Sequence, residues 1–298
     1  MKSCKYYLKH YSFKKDRTIL GNTLYFIIDP HISHPGLCDR YKAIVGCFYI
    51  ALQNGFDFKI IFDSPFKLDD YLDINDYDWK ADWTDLSFSL RNSRVIPYNG
   101  GGKIPRLNKA IKQYHVYSYI GYDILETNHI DNYRLIWGNL FNRLFIPKDF
   151  LGRIIEESGF KQNDYIAVHL RFVNALERFE ENQFNVLSED KKENLINRCL
   201  DGIKRVINDN KGKKIVVFSD SRVFLSRVGE LPVYVLDGKT GHISFEHDKD
   251  VVTKTFIDFY MISNAERIYM IKASEIYTSA FPYYATLAGY KGVTTLNV

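Results

Sequence analysis

Short apolar runs and helical stripes alternate along this chain from end to end. Leu24-Tyr25-Phe26-Ile27-Ile28-Asp29 has the length of a strand, and so has Phe58-Lys59-Ile60-Ile61-Phe62, closed by Asp63-Ser64-Pro65. Between them, Cys38 to Gln53 sets Tyr41, Ile44, Val45, Phe48, Ala51 and Leu52 at helical spacing, and Asn54-Gly55 stops the helix. Strand, helix, strand is how a parallel, doubly wound sheet begins. Tyr114 to Ile120 alternates like a further strand, Leu135 to Phe145 reads as helix, and Pro147-Lys148-Asp149 starts another.

The second half repeats the rhythm. A helix from Phe150 to Ser158 leads to Tyr165-Ile166-Ala167-Val168-His169-Leu170-Arg171, a buried type of strand preceded by the turn former Asn163-Asp164. A charged helix runs from about Ser188, its N-cap, to Asn208. Strands follow at Lys214–Phe218, Val233–Leu236 and Arg267–Ile271, with helices from Arg222, over Thr253–Asn264 and over Tyr283–Ala288. The fold class is α/β. The expected boundary near Pro147 gives two Rossmann-like domains, 1–147 and 148–298.

Composition adds bounds. Apolar residues are 46% and charged residues 26% of 298, as in a water-soluble globular protein. A formal charge of +4 is too mild to call for nucleic acid. Cys4, Cys38, Cys47 and Cys199 are scattered without metal-type spacing, which suggests reduced thiols. The chain opens without an apolar signal core and holds no apolar run of 18 residues, so a cytoplasmic protein is expected. Lys2, Lys5, Lys9, Lys14, Lys15 and Arg17 lie among tyrosines, a mix suited to peripheral contact with an anionic membrane or simply to a solvated leader. The acidic stretch Lys67–Leu90 fits no Ca²⁺ loop and reads as solvated surface. Gly100-Gly101-Gly102-Lys103 lacks the rest of a P-loop and reads as a flexible tip, and His242 as an exposed loop histidine.

The candidate chemistry gathers where strands of the second half end. His169 and Arg171 end one strand, Ser219-Asp220-Ser221 another, and Thr278-Ser279 follow a third. In a parallel sheet these ends share one edge, where open α/β sheets bind ligands. A guanidinium forks two phosphate oxygens, hydroxyls and helix-start amides add to phosphate binding, and a carboxylate accepts from a base or a ribose. The inventory suits a nucleoside diphosphate held without metal or Walker loop.

Four stretches together resemble the fucosyltransferases with a His-x-Arg motif: the α1,6-, nodulation-factor and, more distantly, protein O-fucosyltransferases. His34-Pro35-Gly36-Leu37-Cys38-Asp39-Arg40 is similar to their Gly-Leu-Gly-Asp-Arg opening, and His169-Leu170-Arg171 to the His-x-Arg strand end. Phe218-Ser219-Asp220-Ser221 is similar to their second motif. Thr255–Ser263 with Tyr277-Thr278-Ser279-Ala280-Phe281 is similar to the third. The resemblance implies a GT-B architecture, two Rossmann-like domains facing across a cleft, with GDP-fucose as donor, inversion at the anomeric carbon and no metal. By motif, Arg171 would bind the β-phosphate, His169 the guanosine side, Asp258 guanine and Ser279 phosphate. Asp220 would lie near sugar or ribose, with Ser221, Thr278 and Phe281 in the same donor motifs, and Arg40 would reach the cleft from the first domain.

Relatives continue the motif as Arg-Gly-Asp or Arg-Thr-Asp, whereas Phe172-Val173-Asn174 follows here. Inversion needs a base for the acceptor hydroxyl; Glu177 is the first candidate and Glu180 the second. Loop-surface acids, a helix-surface Asp258 and a helix-start Arg40 remain the plainer readings of those residues. The expected function is fucosyl transfer to a glycan. Lys/Asn/Ile/Tyr-rich composition points to an AT-rich bacterial genome and so to a surface polysaccharide acceptor. Another nucleotide sugar, a relative that binds without catalysis, and a scaffold without ligand are the alternatives.

Overall fold

A computed structural model describes residues 9–29, 36–96, 105–117, 123–178, 186–239, 241 and 248–298. The chain divides into two compact units, Met1–Lys148 and Asp149–Val298. The loop 31–35, the glycine tip 100–103, residues 118–120, Glu180 and His242 lie outside the described residues.

The first unit contains β1 (Thr23–Ile28), α1 (Leu37–Asn54), β2 (Asp57–Phe62), β3 (Leu72–Ile74), β4 (Ser93–Ile96), β5 (Gln113–Val116), α2 (Ile124–Thr127), α3 (Tyr133–Leu144) and β6 (Phe145–Pro147). Its main sheet has the order β2-β1-β5-β4, all parallel, and β3 pairs antiparallel with β6. The apolar stripe of α1 is buried, with Tyr41, Ile44, Val45 and Phe48 shielded from solvent. Gly55 ends this helix at φ 66, a left-handed conformation that glycine adopts without steric cost.

The second unit contains α4 (Asp149–Glu157), β7 (Tyr165–Leu170), α5 (Glu189–Asp209), β8 (Lys214–Ser219), α6 (Arg222–Val228), β9 (Tyr234–Val235), α7 (Lys249–Asn264), β10 (Arg267–Lys272), α8 (Phe281–Ala288) and β11 (Val293–Asn297). Its five strands are all parallel in the order β11-β10-β7-β8-β9. The central position of β7 explains why its sequence is apolar apart from His169, because all six of its residues are buried. Val168 and Leu170 pack in one cluster with Leu195, Cys199 and Ile203 of α5 and with Ile215 and Val217 of β8. Burying each such aliphatic side chain stabilises the fold by about 1.5–3 kcal/mol.

Two contacts fix α7 and α8 beside this sheet. The Tyr165 hydroxyl donates to the Met261 carbonyl at 2.5 Å. Gly289, just past α8, lies so near α7 that an added Cβ would sit 2.2 Å from the Ser263 carbonyl oxygen.

Several expectations shift. Among the described residues the strand at Tyr114 covers only Gln113–Val116, and Phe145 leaves the helix to begin β6. The helix expected from Thr253 begins at Lys249, because the Asp248 carboxylate caps it by accepting from the Asp250 N–H. Ser188 stands at the N-cap of α5 without a side-chain capping bond. The acidic stretch is surface, with Asp70, Asp76, Asp78, Asp82 and Asp85 exposed, and it is tied down by pairs: Asp73 with Lys80 and Lys148, Asp78 with Lys59, and a capping box of Asp82 with Asp85. Cys38, Cys47 and Cys199 are buried and stand as thiols outside any disulfide. No helix among the described residues is long and apolar enough to cross a membrane.

Candidate functional site

The register of the second sheet sets neighbouring strand ends side by side. Leu170 pairs with Ser219 and His169 with Met270, so the residues just past β7 and β8 emerge at one edge. His169 is buried, and its ring stacks on Phe281 with centroids 5.9 Å apart and planes at 25°. Phe281 in turn meets the edge of Phe259, which joins α8, α7 and β7 at this point. Burial, with help from the Arg171 charge, pushes the His169 pKa down to about 3. The neutral ring keeps its Nδ1 buried and without a hydrogen-bond partner. Such an atom costs about 1–3 kcal/mol until something meets it.

Arg171 is half-buried, and its carbonyl accepts from the Tyr277 N–H at 3.0 Å, which ties the loop after β10 to the end of β7. Its Nε lies 3.9 Å from Asp220 Oδ2. The Asp220 carboxylate also accepts from the Phe172 N–H at 2.8 Å and the Val173 N–H at 2.9 Å. Burial raises the Asp220 pKa, against the pull of Arg171 and these amides. Its two oxygens are therefore engaged with the turn after β7, each accepting one backbone N–H.

The neighbouring hydroxyls also have structural partners. Ser221 is buried and caps α6 by accepting from the Phe224 N–H at 3.1 Å. Ser279 is buried and accepts from the Phe281 N–H at 3.1 Å; a hydroxyl that accepts one bond keeps its O–H to donate. Thr278 is exposed. Glu177 is half-buried and accepts from the Val223 N–H at 3.4 Å, an acid placed at the start of a helix.

Asp258 is not a surface carboxylate. It pairs with Lys254 one turn earlier on α7 at 2.5 Å, with the side chains 17% and 11% exposed. Burial raises its pKa, and Lys254 opposes the rise. The sequence reading missed Lys254, although its spacing of four from Asp258 is a legible helical pair. It also missed the Val173 turn and the His169–Phe281 stack, for which no local signal exists.

Arg40 belongs to the first unit and is buried rather than at the surface. Its guanidinium lies over the rings of Phe62 at 5.1 Å and Phe66 at 5.7 Å. Burial lowers its pKa to about 9, with Asp39 opposing. Among the described residues no group of three or more His, Cys, Asp or Glu could hold a metal ion.

Several solved structures resemble the chain. A variant of Arabidopsis thaliana FUT1 in complex with GDP matches with TM-score 0.60 at 12% identity, over 99% of this chain and 75% of that one. NodZ alpha-1,6-fucosyltransferase soaked with GDP-fucose matches with TM-score 0.57 at 13% identity, over 90% of this chain and 93% of that one. POFUT1 in complex with GDP matches with TM-score 0.55 at 9% identity, over 92% and 98%. The chain has the fold of these fucosyltransferases. No family model matches it, and no curated protein matches it by sequence. The likeness therefore lies in the mixed α/β, parallel-sheet architecture.

Proposed function

We propose that the protein is an inverting glycosyltransferase that moves fucose from GDP-fucose to a glycan acceptor without a metal ion. The observation that carries this reading is the placement of His169 and Arg171 at the end of the central strand of a fold shared with proteins solved with GDP and GDP-fucose. In this reading Arg171 meets the β-phosphate, where charge develops as the leaving group departs. His169, neutral, presents its unpartnered Nδ1 toward the nucleoside. Ser279 donates its O–H to phosphate, with Thr278 beside it, and Asp258 accepts from guanine.

The acceptor hydroxyl attacks the anomeric carbon, the bond from that carbon to the β-phosphate oxygen breaks, and GDP leaves. The hydroxyl proton passes to a carboxylate, Glu177 first and Glu180 second. The first unit takes the acceptor and the second the donor. A bacterial surface polysaccharide, built at the cytoplasmic side of the membrane, is the acceptor class that fits the composition.

A second reading, a nucleotide binder without catalysis, is favoured by Phe172-Val173-Asn174, which stands where relatives carry Arg and Asp. The test that separates the two is incubation with GDP-fucose and candidate glycans, following GDP release. Release that depends on the glycan supports transfer; GDP binding without turnover supports the second reading.

A further inference from the structure

The chain turns sharply as it leaves β7. Val173 sits at φ 53, in the left-handed region. A β-branched side chain pays of order 1–3 kcal/mol to stay there, so surrounding structure must over-determine the turn. Two devices do so. Phe172 is fully buried and packs on Phe224 with ring centroids 4.7 Å apart. Asp220 supplies the second, because Oδ1 accepts the Phe172 N–H at 2.8 Å and Oδ2 the Val173 N–H at 2.9 Å. The same Oδ2 is 3.9 Å from Arg171 Nε, an ion pair longer than a hydrogen bond. Asp220 stands one residue past β8, and the Leu170–Ser219 register brings it level with Arg171.

We propose that Asp220 is a positioning residue that acts on the nucleotide through Arg171. It fixes the backbone of the 171–173 turn and sets a carboxylate beside Arg171 Nε, and together these orient the guanidinium toward phosphate. The inference rests on the proposed phosphate role of Arg171. It differs from a direct ribose or sugar contact, because Asp220 acts through the turn and through Arg171 rather than on the ligand itself.

The test combines GDP titration calorimetry on wild type, Arg171→Ala, Asp220→Ala and the double variant with amide exchange in the nucleotide-free proteins. Asp220→Ala is expected to weaken GDP at least tenfold, yet to change affinity less than twofold when Arg171 is already alanine. The Phe172 and Val173 amides are expected to exchange faster in Asp220→Ala without any nucleotide. Should that variant not fold, Asp220→Asn retains one acceptor oxygen and is expected to lose part of the affinity. Adding Val173→Gly, which takes the turn without strain, is expected to restore some of it. An equal loss of affinity in both Arg171 backgrounds means direct contact with the nucleotide and overturns the proposal. Wild-type affinity or wild-type exchange in Asp220→Ala overturns it as well. A wild-type protein that binds no GDP removes the phosphate reading and this proposal together; unchanged exchange alone removes only the positioning role.

Discussion

The imidazole of His169 lies on the ring of Phe281, 5.9 Å between centroids, and so joins the end of the central strand to the first residue of the last helix. The stack shields the ring on one side and leaves its Nδ1 without a partner. Phe281 is half-buried, so Phe281→Ala should cost about 2 kcal/mol, below the roughly 3–5 kcal/mol of a core phenylalanine. The same variant should weaken GDP, since His169 loses its support. Urea unfolding with GDP titration checks both; a loss of stability with unchanged GDP affinity would detach the stack from the nucleotide.

Acid should destabilise the protein before its ordinary carboxylates titrate. His169 and His115 both have pKa values pushed down to about 3 by burial, against about 6.5 in the unfolded chain. Between those values the unfolded chain binds protons that the folded chain refuses. The stability is therefore present above about pH 6.5 and lost as pH falls toward 3, by up to about 1.4 kcal/mol per unit for each histidine. Asp220 and Asp258, whose pKa values burial raises, act in the opposite sense. The comparison that isolates the histidine term is urea midpoints at pH 7 and pH 5 for wild type and His115→Gln. The variant should show a flatter dependence; equal slopes would mean that His115 titrates normally.

Much of this architecture is legible in the sequence because the deciding signals are local. The run Tyr165–Leu170 has the length and bounding turn formers of a strand buried on both faces, and Asn54-Gly55 follows a helical stripe that it stops. Edge strands are harder. Val293–Asn297 pairs on one side only and leaves Thr294 and Thr295 exposed, so its sequence carries little apolar pattern. The same division holds at the site. His169 and Arg171 stand out as polar residues at the end of an apolar run. What Asp220 does depends on strand register and on the φ of Val173, and neither is written in the residues around them.

Glu177→Gln separates catalysis from binding. A glutamine oxygen can still accept from the Val223 N–H, so the start of α6 should survive with a stability change within about 0.5 kcal/mol. Transfer should fall by at least about 100-fold, the usual lower scale of a general base, while GDP affinity stays. If Glu180→Gln has that effect instead, Glu180 is the base.

Lys254 is the ion-pair partner of Asp258 inside the fold and opposes the rise that burial gives its pKa. Lys254→Met should destabilise by about 3 kcal/mol, the low end for one partner removed from a buried pair, since Asp258 can answer by taking up a proton. Lys254→Met with Asp258→Leu should recover most of that stability yet lose GDP affinity. Thermal unfolding and GDP titration of the three proteins read the two effects apart. Full GDP affinity in the double variant would remove Asp258 from the base site.

The most direct measurement is calorimetric titration of the whole chain with GDP, UDP, CDP and GDP-fucose, with and without Mn²⁺, repeated on Arg171→Ala. The expected result is binding of GDP and GDP-fucose alone, indifferent to Mn²⁺. The variant should lose about 1.5–3 kcal/mol, the scale of a charge-assisted hydrogen bond. Preference for UDP or CDP, or GDP affinity unchanged by Arg171→Ala, would contradict a GDP-fucose site at the end of β7.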